Sequence, residues 1–269
     1  MKASILPAAI WLLAAAPALA AGFDKPLSME RIPIARVGGA STGKAALSCF
    51  YFRGLRVKQL DLGEVGAAEL AILPLAGGTK PPCRRSAAPG EIVIPSKEWS
   101  GYFKGVRSGF VFFDAEDGTN GGLGFAVFDG RTGKKLFEDL AVGALRTAKT
   151  AAGAIRVRYR RAVAGPCSVP HAGAKCWAAM AARMPGVRTV PAPDCKGGYA
   201  KAKSAMAKGR CEAQRNTSPG CFAVEMKRLD AQRWNEAPSV VAYEVEAVIG
   251  RSRQSVRALA GVLSCWPAD

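Results

Sequence analysis

The chain has a single histidine, His171, and that scarcity bounds its chemistry before any motif is read. General acid or base work would fall to carboxylates, lysines or tyrosines. The adjacent pairs Glu116/Asp117 and Glu138/Asp139 supply none, because neighbouring residues on a strand point to opposite faces. There is no C-x-x-C and no C-x-x-C-H, which argues against a redox pair or an attached haem. Beyond the first twenty residues no apolar run approaches the roughly 18 residues that a membrane helix needs. Acidic residues are also scarce, 21 Asp and Glu against 38 Lys and Arg.

Eight cysteines stand against these absences. An export leader precedes them: Lys2 is a minimal positive segment, Ile5 to Ala16 is apolar, and Ala18-Leu19-Ala20 is a small-residue cleavage site. Residues 1–20 are therefore read as a signal peptide. Cys49, Cys83, Cys167, Cys176, Cys195, Cys211, Cys221 and Cys265 all follow it, and an even number in an oxidising compartment reads as a disulfide framework. Eight cysteines allow about 105 pairings. Short loops favour Cys167 with Cys176 and a bridge within the group Cys195, Cys211 and Cys221, with Cys49 to Cys83 as the next expectation. The location expected is periplasmic or secreted, and the Ala, Gly and Arg content suits a bacterial source.

The basic excess lies mostly in the C-terminal half and favours anionic partners in general. Its most ordered expression is Arg156, Arg158 and Arg160, which alternate with Ile155, Val157 and Tyr159 on a strand expected over 154–163, with Arg161 beside them. Side chains two apart on a strand repeat near 7 Å, a spacing at which guanidinium forks can meet successive phosphates or carboxylates. Arg156, Arg158, Arg160 and Arg161 are the candidate ligand-binding residues. The aromatics lie on the opposite face, so this is not a base-stacking platform and specific nucleic-acid binding is not expected. The expected partners are anionic envelope components or another envelope protein.

Strand grammar dominates from residue 45. Leu47 to Phe52, Leu55 to Leu62 and Ala68 to Leu75 are short apolar runs cut by Gly54, Gly63 and Gly66. A Pro-rich connection spans Pro81 to Pro95. Phe110-Val-Phe-Phe113, the turn dipeptides Asp117-Gly118 and Asn120-Gly121, and the run Leu123 to Phe128 follow. The stretch from Phe125 to Glu138 resembles one strand-turn-strand unit of secreted β-propeller blades, but it occurs once where a propeller repeats it. Three helices are expected between cysteine-bearing loops. They lie near Lys175 to Met184, from an Asp194 cap with Cys195, Tyr199, Ala202 and Met206 on one side, and from Ser218-Pro219 with Phe222, Met226 and Leu229 inward. A hairpin closes the chain, with Glu244 and Glu246 on the face expected to meet Arg251, Arg253 and Arg257.

Other chemistry-bearing patterns are weaker. Gly38 to Lys44 fits a phosphate loop with Ala45 in place of the Mg²⁺-binding Ser or Thr, fits G-x-S-x-G around Ser41, and fits S-x-x-K. None of these motifs has its companions, so a flexible linker is expected. Asp114, Glu116, Asp117 and Asn120 fall in a loop that misses the EF-hand register but offers hard oxygen donors, and they are the candidate metal site. A soft-metal site can also be drawn from His171 with the nearby cysteines, Met180 and Met184, although a Cys167 to Cys176 bridge would consume both thiolates. No cofactor is expected.

The reading is an α+β, β-rich fold with an antiparallel sheet or sandwich-like core, a helical disulfide-rich insertion and a C-terminal β-hairpin. Residues 21–44 form a flexible arm, and 45–269 one globular domain divided into a β-rich part (45–165), the insertion (166–235) and the hairpin (236–269). The function expected is a non-enzymatic binding or envelope-associated module for anionic ligands. A secreted hydrolase and a structural or inhibitory interaction module are the alternatives.

Overall fold

The computed structural model describes residues 22–34, 45–76, 80–188, 190–215 and 218–268. The expected signal peptide and the Gly38 to Lys44 segment lie outside them. Five strands, β1 (Ser28–Pro33), β2 (Ala46–Phe52), β3 (Leu55–Asp61), β4 (Glu69–Pro74) and β5 (Ile92–Ile94), pair in sequential order as one antiparallel sheet. A second antiparallel sheet runs through β6 (Gly101–Arg107), β7 (Phe110–Thr119), β8 (Gly122–Asp129), β9 (Lys135–Lys149), β10 (Ile155–Ala164), β11 (Ser239–Ile249) and β12 (Gln254–Ala258). Its eighth strand, β13 (Ser264–Pro267), pairs with the first part of β11. Between β10 and β11 come helices α1 (Val169–Ala181), α2 (Cys195–Ala213) and α3 (Pro219–Ala231).

The fold is a three-layer stack whose order is written in β7 and β8. Val111, Phe113, Ala126 and Phe128 face the five-stranded sheet, where they pack with Phe52, Leu55, Val57 and Ile72. Phe110, Phe112, Phe125 and Val127 face the other way, onto a core shared with Met180, Met184 and Tyr199. A strand buried on both faces has no polar side, which is why these two read as nearly continuous apolar runs. The helices dock through caps and bridges. Ser168 caps α1 by accepting from the His171 amide, and Asp194 caps α2 by accepting from the Gly197 amide. The disulfide Cys195–Cys265 ties the start of α2 to β13.

The four bridges are Cys49–Cys83, Cys167–Cys176, Cys195–Cys265 and Cys211–Cys221. Cys167–Cys176 and Cys211–Cys221 follow the short-loop expectation and Cys49–Cys83 the further one, whereas Cys195 pairs across 70 residues because α2 packs against the last strand. Gly198 permits that approach, since a Cβ there would lie 1.8 Å from the Cys265 carbonyl oxygen.

Three expectations are corrected. The arm over 21–44 is ordered where it is described. The Gly22 carbonyl accepts from the Thr147 hydroxyl, the Phe23 ring packs edge-on against Phe112 at 5.0 Å, and Asp24 binds the Ser108 amide and Arg107. Residues 28–33 then pair with β2 as an edge strand held by main-chain bonds, so its mostly exposed side chains carry no apolar alternation for a reader to find. The Asp117-Gly118 turn is absent. β7 continues through it with an irregularity in register, and Asn120-Gly121, both at positive φ, make the turn. Phe222, expected inward, is exposed, and Met206 lies exposed although Tyr199 on the same helix side is buried.

The Pro-rich connection is a lid on the outer face of the five-stranded sheet. Main-chain carbonyls of Pro81, Pro82 and Arg85 accept from Tyr51, Arg56 and Lys58, and the Cys49–Cys83 bridge pins the segment down. Beneath it Arg56 and Lys58, each 1% exposed, share the equally buried Glu91 carboxylate at 2.8 and 2.5 Å.

Candidate ligand-binding surface

The alternation of β10 holds as expected. Ile155, Val157 and Tyr159 face the helical side, so Arg156, Arg158 and Arg160 point to the opposite side of the sheet. The five-stranded sheet covers that side only over β6, β7 and β8, because no residue of β9 to β12 joins the apolar cluster between the sheets. The outer face around Arg156 and Arg158 is therefore left to solvent, with these arginines about half exposed at 46% and 49%, while Ala162, Ala242 and Val240 at the other end of the same face are buried.

Register places acid among them. Arg158 lies opposite Glu246 and Arg160 opposite Glu244 on β11, while Arg257 of β12 lies opposite Glu246 from the other side. Glu246, 3% exposed, accepts from Arg158 Nε at 2.6 Å and from Arg257 Nη2 and Nε at 2.7 and 3.0 Å, with Arg156 Nε at 3.4 Å. Burial acts to raise the carboxyl's pKa, but the hydrogen bonds from Arg158 and Arg257 and the surrounding charge outweigh it and hold Glu246 below its ordinary value. Glu244 is looser, with Arg146 Nη2 at 3.9 Å and Arg160 Nε at 4.0 Å. Five arginines thus surround two glutamates, and the face keeps an excess of three positive charges. The hairpin expectation holds for Arg257. Arg251 instead reaches Asp129, and Arg253 pairs with no carboxylate of the described residues.

Arg161 does not join the row. It shares the parity of Tyr159, turns to the helical side, and binds Asp139 at 2.8 Å together with the Tyr159 hydroxyl. Desolvation and the Asp139 charge push the Tyr159 hydroxyl well above its ordinary pKa, so this cluster is a fixed structural link. Arg146 and Arg257 were missed as members of the face, because only the pairing of β9 and β12 with β10 and β11 brings them there.

The acidic loop candidates do not converge. Asp114 on β7 holds Lys104 Nζ at 2.6 Å, and burial raises its carboxyl pKa despite that lysine. Glu116 accepts from Ser100, Asp117 is exposed, and the Asn120 carbonyl accepts from the Trp266 indole. Among the described residues no group of three or more His, Cys, Asp or Glu is placed to hold a metal ion. His171 is exposed on α1, while Cys176 and Cys167 are bridged and Met180 and Met184 are core. Among the described residues no helix is long and apolar enough to cross a membrane. No protein-family model, curated protein or solved structure matches this chain.

Proposed function

We propose that this chain is an exported, disulfide-bonded module that binds anionic polymers through the outer face of β9 to β12. The observation that carries the reading is the ratio on that face, five arginines to two glutamates, with the best-buried glutamate acting as a shared anchor that orders guanidiniums without cancelling them. Guanidiniums held in place lose less freedom on meeting a phosphate or carboxylate than free lysines would. Four disulfides fit an oxidising compartment, where lipopolysaccharide and acidic glycans are the available polyanions.

The test compares binding of the oxidised protein to lipopolysaccharide, peptidoglycan and DNA at low and high salt with binding by an Arg146→Gln/Arg160→Gln variant. These two arginines make only long contacts to a glutamate, although Arg160 also donates to the Ser264 hydroxyl, and Arg161 is left intact because it supports the interior. Saturable binding to one polymer, weakened by salt and by the double substitution, supports the proposal. Equal binding by the variant removes it.

A further inference from the structure

A second basic feature lies where the two sheets meet at their turns. The β2–β3 turn carries Arg53, the β8–β9 turn carries Arg131 and the β11–β12 turn carries Arg251, and all three line one cleft of about 580 Å³. That volume is within the range of small-molecule sites. Its lining contains no Asp or Glu among the described residues.

The cleft is built by close backbone approach. A Cβ on Gly130 would lie 2.6 Å from the Gly109 carbonyl oxygen and 2.6 Å from Leu55 Cδ2. The bare glycine therefore lets the β8–β9 turn sit against the β6–β7 turn and the start of β3, and the Gly130 amide donates to the Gly109 carbonyl at 2.9 Å. This contact brings arginines that are far apart in sequence to one rim.

Arg251 is fixed in advance. Its Nε donates to Asp129 Oδ1 at 3.2 Å and its guanidinium lies 5.0 Å over the Phe110 ring. Its Nη2 stands 3.5 Å from where a Gly109 side chain would begin, on the cleft wall. Asp129 itself is 4% exposed and spent on Arg251, the Arg131 amide and the Thr132 hydroxyl, so it orients the cleft without entering it. Arg53 and Arg131 are exposed and pair with no carboxylate of the described residues.

We infer that this cleft is a binding site for a single phosphate group, with Arg53, Arg131 and Arg251 as its ligands. Guanidiniums brought in from three separate turns suit a tetrahedral oxyanion better than a planar carboxylate. The cleft adjoins the arginine face, since Arg251 also lines a neighbouring depression with Arg156, but the inference does not depend on the polymer-binding proposal. The phosphate could be free in solution or terminal on a lipid headgroup.

Binding of the oxidised full chain is measured by calorimetry to inorganic phosphate and by co-sedimentation with neutral phosphatidylcholine vesicles containing phosphatidic acid. The same measurements are made on Arg53→Gln/Arg131→Gln, whose exposed positions leave the interior untouched, and on Arg146→Gln/Arg160→Gln. The expected result is binding to inorganic phosphate, to the vesicles, or to both, weakened by about tenfold or more in the cleft variant and little changed in the face variant. Which probe binds identifies the source of the phosphate. Binding of neither probe, retention by the cleft variant, or equal loss in both variants overturns the inference. Loss of polymer binding in the face variant with phosphate binding intact would leave the two sites independently supported.

Discussion

Replacing Glu246 by Gln should make the protein less stable and a better polyanion binder at once. The side chain keeps its size but loses the charge on which Arg158, Arg257 and Arg156 converge. Hydrogen bonds to charged groups are worth roughly 1.5 to 3 kcal/mol each. The guanidiniums are about half exposed or more and can rehydrate, and the amide oxygen still accepts, so a net loss of about 2 kcal/mol is expected. For a chain of this size that is a fall in melting temperature of about 4 to 8 °C. The excess on the face rises from three positive charges to four, so affinity for an anionic polymer at low salt should rise and its salt dependence steepen. A calorimetric melt and a salt titration of binding, run on one preparation, read both effects. A folded variant that binds more weakly would refute the electrostatic argument and make the ordering of the arginines the dominant factor. The pH dependence follows in sign. A carboxyl whose folded pKa is lowered contributes fully above its ordinary value, and that contribution is lost as pH falls through the lowered one. The native protein should therefore lose stability below about pH 4, and the Gln variant should be less sensitive there.

Three further outcomes are expected. Glu91→Gln leaves Arg56 buried without a counter-charge and Lys58 with Glu69 alone, and should cost about 3 kcal/mol in urea denaturation. Cys49→Ala/Cys83→Ala opens a closure of 34 residues worth about 4 kcal/mol in the chain-entropy description. It should also free the lid, so that trypsin cuts at Arg84 or Arg85 well before the rest of the chain. Gly198→Ala places a methyl group 1.8 Å from the Cys265 carbonyl oxygen and should unseat α2 from β13, seen as early amide exchange in α2 while β7 and β8 stay protected.

The parts legible in the sequence are those where local chemistry and burial agree. Phe110 to Phe113 and Phe125 to Phe128 are buried on both sides and could be little else than inner strands. Asp194 caps α2 by its side chain, and Ser218 and Pro219 open α3. What stayed hidden depends on partners distant in the chain. β1 is held by main-chain pairing, which leaves no side-chain period, and β13 is only four residues long. Arg56 and Lys58 interrupt the apolar run of β3 and are buried by a lid more than twenty residues away in the chain. The alternation of Arg156, Arg158 and Arg160 was readable, but the share of that charge taken by Glu246 follows from the registers of two neighbouring strands. The cleft arginines come from three turns that only the packed sheets bring together.

The most direct test of the arginine face is to map where an anionic polymer touches the protein. Amide and arginine Nε–H shifts of the isotope-labelled, oxidised chain would be followed during titration with an acidic oligosaccharide. Perturbation concentrated on Arg146, Arg156, Arg158, Arg160 and Arg257 and the strands carrying them is the predicted result. Perturbation confined to the lysines of α2, Lys196, Lys201 and Lys208, with the β9 to β12 face unmoved, would contradict it.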